Sequence, residues 1–418
     1  MLIQGGLVYT NGAFVERDIE TEGGVIRSLG TGLEGDDVFD ARGFVVVPGF
    51  VNAHTHLSMS LLRGAGDDMP LHSWLNDRIW PLEASLSYED CYWGSLFGIV
   101  EMLKTGTTCF NDMYFHMDAT IRAVKEAGIR AAITHAVIDL GDEKKAQTEL
   151  QESSRIHRMC RNEKRISYMM GPHAPYTCSE AFLLQIKEYA RAHGIKTHIH
   201  LSETRKEVED MEQEHSMTPA GYLDSLSFLD EETICAHGVH LTPEDIKLLS
   251  SRGCSIVHCP QSNLKLSSGI APLPQMRDAS INIALGTDGA ASNNSLSMIQ
   301  ETKCMALIHK LQGATEVPAS TAFSIATRGG GKALGLPVGE LAPGYNADMA
   351  FIDASHFSMR PSHSLISNLV YSLQEEAIRH VMVDGTFVLR DRELTMVDEK
   401  SITEKASEHA NALVELIG

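Results

Sequence analysis

His54 and His56 stand two apart in the run Pro48-Gly49-Phe50-Val51-Asn52-Ala53-His54-Thr55-His56, directly behind the apolar residues Val45, Val46 and Val47. In an extended segment, residues two apart face the same side. Two imidazoles presented together at a strand end are half of a metal site. Polar residues of the same kind recur farther along, each behind a short apolar run. They are His173 in Gly171-Pro172-His173-Ala174-Pro175-Tyr176, and His198, His200 and Glu203 in Thr197-His198-Ile199-His200-Leu201-Ser202-Glu203. His237 and His240 follow in Ala236-His237-Gly238-Val239-His240, and Asp288 in Leu285-Gly286-Thr287-Asp288. His-x-His arises by chance, and a single histidine is more often a hydrogen-bonded core residue. Five such groups at equivalent places are hard to explain by packing, because buried polar groups without partners cost free energy.

These groups need a scaffold that gathers strand ends. Strand candidates are Val45 to Asn52, Thr107 to Phe110, Ala131 to Val137, Ile166 to Met170, Lys196 to Leu201, Thr233 to His237, Ser255 to Cys259 and Asn282 to Leu285. Helical stretches fill the gaps, among them Tyr88 to Lys104, Ser179 to Ala192, Thr242 to Ser251 and Leu296 to Leu311. Eight β-α units over roughly 290 residues predict a closed (β/α)8 barrel, in which the site lies at the C-terminal ends of the strands. An open doubly wound sheet competes, but no Gly-x-Gly-x-x-Gly follows a strand. Arg328-Gly329-Gly330-Gly331-Lys332 lacks the spacing of a phosphate loop and reads as a closely packed helix.

The ends of the chain differ. Leu2-Ile3, Leu7-Val8-Tyr9, Phe14-Val15 and Val25-Ile26 alternate with the turn signals Gly5-Gly6, Asn11-Gly12 and Gly23-Gly24. Asp348 to Ile352, Ile378 to Val383 and Thr386 to Leu389 repeat this texture, with Asp384-Gly385 as a hairpin turn. Neither end has strands enough for its own core. The expectation is a small β-sandwich built from residues 1–47 and 343–418, the latter carrying a terminal helix, around a barrel over 48–342.

A formal charge of -20 over 418 residues disfavours a nucleic-acid partner. No run approaches a membrane span and no signal segment is visible, and the eight scattered cysteines lack a Cys-x-x-Cys pair. Reduced thiols in a cytoplasmic protein are expected.

The motifs together resemble the amidohydrolase superfamily, and within it the S-adenosylhomocysteine/5'-methylthioadenosine deaminase branch. The likeness rests on the segments Pro48 to His56, His198 to Glu203, His237 to Leu241, Ser262-Asn263-Leu264-Lys265-Leu266, Gly286 to Asn294 and Pro343 to Asp348, and spans essentially the whole chain. It implies His54, His56, His200 and Asp288 as ligands of one divalent metal, Zn2+ first, with Fe2+ or Mn2+ also fitting. Binuclear relatives use a carboxylated lysine after strand four; Met169-Met170-Gly171-Pro172-His173 has none. The resemblance further implies Asp288 as acceptor of the proton of a metal-activated water, Glu203 as proton shuttle to a ring nitrogen, and His237 as the group that steadies the tetrahedral centre. Glu203 could instead be a helix-start carboxylate.

For the substrate, the resemblance implies Trp74 and Glu83 over the sugar, His173 near base or sugar and Ser292 on the strand-eight loop. Where relatives that take homocysteine-bearing nucleosides carry an arginine, this chain has His135, and the following Lys145-Ala146-Gln147-Thr148-Glu149 shows no second cation in the expected place. The implied activity is hydrolytic deamination of an adenosine-type nucleoside: 5'-methylthioadenosine, 5'-deoxyadenosine, adenosine or S-adenosylhomocysteine, the last put most in doubt. The alternative is hydrolysis of another aromatic C-N or C-Cl bond, as in guanine or s-triazine hydrolases. Relatives also suggest a homo-oligomer.

Overall fold

The structure, a computed structural model, describes residues 1–69 and 73–417. Strands β1 (Leu2–Thr10), β2 (Ala13–Glu22), β3 (Val25–Gly30), β4 (Val38–Asp40) and β5 (Phe44–Pro48) open the chain. The barrel follows with β6 (Phe50–Thr55), β7 (Thr107–Tyr114), β8 (Arg130–Val137), β9 (Ile166–Pro172), β10 (Thr197–Leu201), β11 (Thr233–His237), β12 (Ser255–His258) and β13 (Asn282–Leu285). Four more, β14 (Met349–Asp353), β15 (Ile378–Val383), β16 (Thr386–Arg390) and β17 (Glu393–Leu394), return to the first group. The chain then ends in a helix, Glu399–Ile417.

β6 to β13 pair in sequence order, all parallel. Helices cover the outside, and their ends carry the signals expected of them. Ser87 and Asp90 form a capping box at Tyr88–Lys104, and Thr242 and Asp245 another at Pro243–Arg252. Val51, Ala53, Cys109, Ala132, Met169, Ile234, Val257 and Ala284 fill the barrel interior. The seam between β6 and β13 is sewn by side-chain and backbone bonds: Asn52 Nδ2 donates to Thr287 Oγ1 at 2.7 Å, Thr287 N donates back to Asn52 Oδ1 at 3.0 Å, and Asp288 N donates to His54 O at 3.0 Å. Gly286 permits that approach, since a Cβ there would stand 2.8 Å from His54 O. The seam therefore sets the distance between the first and last candidate ligands.

Both termini form one nine-stranded sheet, β5 lying between β1 and β14. It folds over a single core in which Ile3, Val8, Ile26 and Val46 meet Phe351 and Met382. Two details differ from expectation. Val45 to Asn52 is not one strand: β5 belongs to the terminal sheet and β6 to the barrel. Gly49 makes the transfer, because a Cβ there would sit 2.1 Å from Thr108 Oγ1. β1 also runs through Gly5-Gly6, where a bulge, with Gly5 at φ +74, replaces the expected turn. The Gly329–Gly331 run is helical and packs on β6 and β13.

One buried ion pair ties the two sheets together. Arg130 on β8 donates to both oxygens of Asp348, Nε to Oδ2 at 2.7 Å and Nη2 to Oδ1 at 3.1 Å, and the two side chains are 5% and 0% exposed. Asp348 Oδ1 also accepts from Asp384 N at 2.8 Å. Removing one partner strands a buried charge. Asp348→Ala is therefore expected to cost about 3 kcal/mol or more in denaturant unfolding; an unchanged midpoint would show that the pair does not join the modules.

Among the described residues no helix is long and apolar enough to cross a membrane, and all eight cysteines are free thiols.

Candidate active site and metal centre

Three imidazole Nε2 atoms converge at the C-terminal mouth of the barrel because their Nδ1 atoms are held elsewhere. His56 Nδ1 donates to Met113 O at 2.6 Å and His200 Nδ1 to His173 O at 2.7 Å. His54 Nδ1 pairs with His198 Nε2 at 2.8 Å. Each contact orients a ring and leaves its Nε2 basic and inward. The acid is aimed likewise. Asp288 Oδ2 accepts from Ser262 Oγ at 2.5 Å and Ser292 Oγ at 2.9 Å, while Oδ1 lies 3.1 Å from His56 Nε2 and 3.5 Å from His54 Nε2. Asp288 adopts φ +61, an uncommon conformation for a residue with a side chain, and it turns the carboxylate back over the barrel.

The donors of His54, His56 and His200 lie within 4.8 Å of one another, as do those of His54, His237 and Asp288. Among the described residues, the buried His54 Nε2 has no hydrogen-bond partner. Burial holds the His54 imidazole down at about 4 and that of His200 well below its usual range, whereas His56 is raised to about 9, burial opposing and the hydrogen bond and charge of Asp288 outweighing it. The Asp288 carboxylate stays well below the carboxylate range; burial opposes this, and the adjacent His54 and His56 imidazoles outweigh it. Imidazole nitrogens gathered around a carboxylate, one of them buried and unpartnered among the described residues, fit a divalent cation. No lysine lies at the end of β9.

Beside this cluster stand Glu203 and His237. His237, also left-handed at φ +73, accepts a hydrogen bond from Asn263 Nδ2 on Nδ1 at 3.0 Å, which leaves the proton on Nε2. That Nε2 is 3.8 Å from Glu203 Oε2. Glu203 is not a residue of the following helix: Thr204 is the N-cap of Arg205–His215. Glu207, in the first turn of that helix, accepts from the Ser202 and Glu203 amides at 2.8 Å each and fixes the turn that points Glu203 inward. Burial pushes the Glu203 carboxyl above its ordinary value, with the His237 imidazole opposing.

Of the expected substrate residues, Trp74, Glu83 and His173 line the same cavity as Glu203, His237 and Asp288. Trp74 and Glu83 lie on consecutive helical pieces, Trp74–Ile79 and Trp80–Glu83, rather than on an irregular loop. Burial raises the Glu83 carboxyl and lowers the His173 imidazole to about 3. Two residues are not brought to the cavity wall. Ser292 is 2% exposed and spends its hydroxyl on Asp288 and Ser262, acting behind the acid instead of on a ligand. His135 points away from the barrel axis, its Nε2 2.9 Å from Glu149 Oε2 on the helix Glu143–Cys160. The inward position on that strand belongs to Ala136. The orienting roles of His198, Asn263 and Ser262 went unassigned in the sequence. Their only signal was membership of the matching segments, since a partner 144 residues away, as His198 is from His54, leaves no local pattern.

A parallel barrel with this cluster at its mouth defines a metal-dependent hydrolase of the barrel type. The chain belongs to the amidohydrolase family, whose model matches residues 45–388. It is 45% identical over 384 residues to a 5'-deoxyadenosine deaminase of Methanothermobacter thermautotrophicus, covering 91% of this chain and 90% of that protein. It is 42% identical over 400 residues to a 5-methylthioadenosine/S-adenosylhomocysteine deaminase of Syntrophomonas wolfei subsp. wolfei, with 93% and 92% covered. Among solved structures, an adenosine deaminase from Xanthomonas campestris with bound zinc superposes with a TM-score of 0.95 at 33% identity, over 99% of this chain and 98% of that one.

Proposed function

We propose that this protein is a metal-dependent hydrolytic deaminase of adenosine-type nucleosides, releasing ammonia and the inosine analogue. The observation that carries the reading is the position of Glu203. A partly buried carboxyl with a raised proton affinity stands beside the candidate metal cluster, 3.8 Å from an imidazole whose tautomer Asn263 sets. The relatives named above support the same chemistry.

His54, His56, His200 and Asp288 would hold the ion, with Zn2+ the first candidate. When bound, it polarises a water and lowers that water's pKa towards neutrality. Asp288 accepts the proton that the attacking water sheds. Glu203 delivers a proton to the ring nitrogen next to the reacting carbon, N1 where the ring is adenine, as the water oxygen adds to C6. His237 donates its Nε2 proton in a hydrogen bond to that oxygen and steadies the tetrahedral centre. Collapse of this centre, with a proton moved to the exocyclic nitrogen through Glu203, expels ammonia. Glu83 is placed to accept from two vicinal sugar hydroxyls, a geometry that suits a carboxylate. Trp74 and His173 close the walls.

Turnover of 5'-deoxyadenosine by Zn2+-loaded protein, followed by the adenine-to-hypoxanthine absorbance change and ammonia release, tests the reading. Deamination at rates of an ordinary enzyme is expected, about 1 s⁻¹ or faster. Inactivity towards every adenosine analogue, combined with hydrolysis of guanine or a chlorinated triazine, would replace it with the alternative bond class.

A further inference from the structure

We propose that Glu301, a buried acid outside the cavity, is a positioning residue that clasps the loops after β12 and β13 together and so fixes Asp288 and His237 relative to each other. The inference rests on the deaminase reading, in which those two side chains serve the attacking water.

Glu301 lies on the helix Met298–Ile308 and is 0% exposed. A helix face packed on the core ordinarily carries apolar side chains, and a carboxyl buried there costs free energy unless donors reach its oxygens. Here the donors are uncharged amides, one from each of two loops. Asn293 Nδ2 donates to Glu301 Oε1, and Gln261 N donates to Oε2 at 3.4 Å. Burial pushes the Glu301 carboxyl well above its ordinary range, with the amide hydrogen bonds opposing. An acceptor is needed at this place, and a charge is not.

Each amide belongs to a short helix that carries groups of the site. Gln261 sits in Pro260–Lys265. Its neighbours there are Ser262, which donates to Asp288 Oδ2 at 2.5 Å, and Asn263, which sets the tautomer of His237 from 3.0 Å. Asn293 closes Ala290–Asn293, and its Nδ2 also donates to Thr287 O at 2.7 Å. That carbonyl belongs to the peptide leading into Asp288, whose φ of +61 persists only if its surroundings hold it. The amide nitrogen of Asn293 has two protons, and Thr287 and Glu301 take one each. Glu301 thus reaches Asp288 from the β13 side, and both Asp288 and His237 from the β12 side. Glu301, Asn293 and Gln261 are not among the described residues that line the cavity, so their action on a substrate is indirect.

The test compares wild type with Glu301→Gln, Glu301→Leu, Asn293→Ala and the Glu301→Leu/Asn293→Ala double variant, each loaded with Zn2+ and, separately, with Co2+. Leucine fills the space without offering an acceptor, whereas glutamine is neutral and keeps an oxygen for Asn293. With 5'-deoxyadenosine, Glu301→Leu should lose about 10- to 100-fold in kcat, the usual cost of removing a group that orients a ligand from behind. KM should stay within about twofold, because nothing that touches the nucleoside has changed. Glu301→Gln should recover most of the loss. Asn293→Ala should lose as much as Glu301→Leu, and the double variant little more than either, since both cut one link. The visible Co2+ absorption, which reports ligand geometry, should shift in Glu301→Leu and keep its wild-type position in Glu301→Gln. Wild-type kcat in Glu301→Leu overturns the proposal, as does wild-type kcat in Asn293→Ala should the leucine variant not fold. It is equally overturned if glutamine loses as much as leucine, or if all the Co2+ spectra coincide. Should wild type deaminate no nucleoside, the deaminase reading falls alone, and the Co2+ spectra still decide on Glu301.

Discussion

Glu203→Gln is expected to keep its metal and to lose about 10³-fold in kcat. Glutamine fills the same space and can still donate a hydrogen bond, so the cavity and the cluster of His54, His56, His200 and Asp288 stay intact. What disappears is a group that can give up a proton and take it back. Positioned proton transfer contributes about 10²- to 10⁴-fold to such reactions, and here Glu203 is asked to act twice, on the ring nitrogen and on the leaving amine. The loss should fall on kcat more than on KM, because the interaction is made in the transition state. His237→Asn should also keep the metal and reduce kcat, by a smaller factor of about 10²- to 10³-fold, the scale of one lost donor to a developing oxyanion. Metal content by elemental analysis, measured on the same samples as kcat, separates chemistry from assembly. Wild-type turnover in Glu203→Gln with full metal would remove the carboxyl from the mechanism.

The later strands that carry this site were legible because each is a short apolar run behind a helix. Thr233–His237 and Asn282–Leu285 fall where the sequence placed them. Strand ends were less certain where the pattern continues past the pairing: β7 extends to Tyr114, four residues beyond the expected Phe110. Those four include Asp112, Met113 and Tyr114, and Met113 supplies the carbonyl that orients His56. The boundary at Gly49 was hidden for a different reason. Val45 to Asn52 reads as one apolar run, and only the three-dimensional crossing of two sheets shows why a glycine interrupts it. Side-chain direction was the hardest to read. His135 and Ala136 are neighbours on one strand with opposite faces, and nothing local says which one looks inward. Ser292 was visible as a polar residue four after Asp288, but its role depends on Ser262, thirty residues earlier, meeting it across the β12 and β13 loops.

The same separation of ligands from their supports gives the second large effect. His54→Ala should weaken cation binding by well over 100-fold and abolish turnover, whereas His198→Ala should weaken it only about 10- to 100-fold, the usual cost of losing a partner behind a ligand. The reasoning is geometric. His54 Nε2 is buried without a hydrogen-bond partner among the described residues and lies 3.5 Å from Asp288, so its deletion removes a donor from the centre. His198 reaches the cluster through His54, by the 2.8 Å contact to its Nδ1 and by stacking on its ring, so its deletion lets that ring rotate but leaves all four donors in place. Excess Zn2+ should accordingly restore activity to His198→Ala and not to His54→Ala. Competition with a chelator of known affinity reads the two losses directly. In wild type the same chelator should abolish activity and added Zn2+ should return it. Equal losses in both variants would mean that the cation sits away from His54, and a His54→Ala protein with full metal and turnover would transfer the centre to other residues altogether.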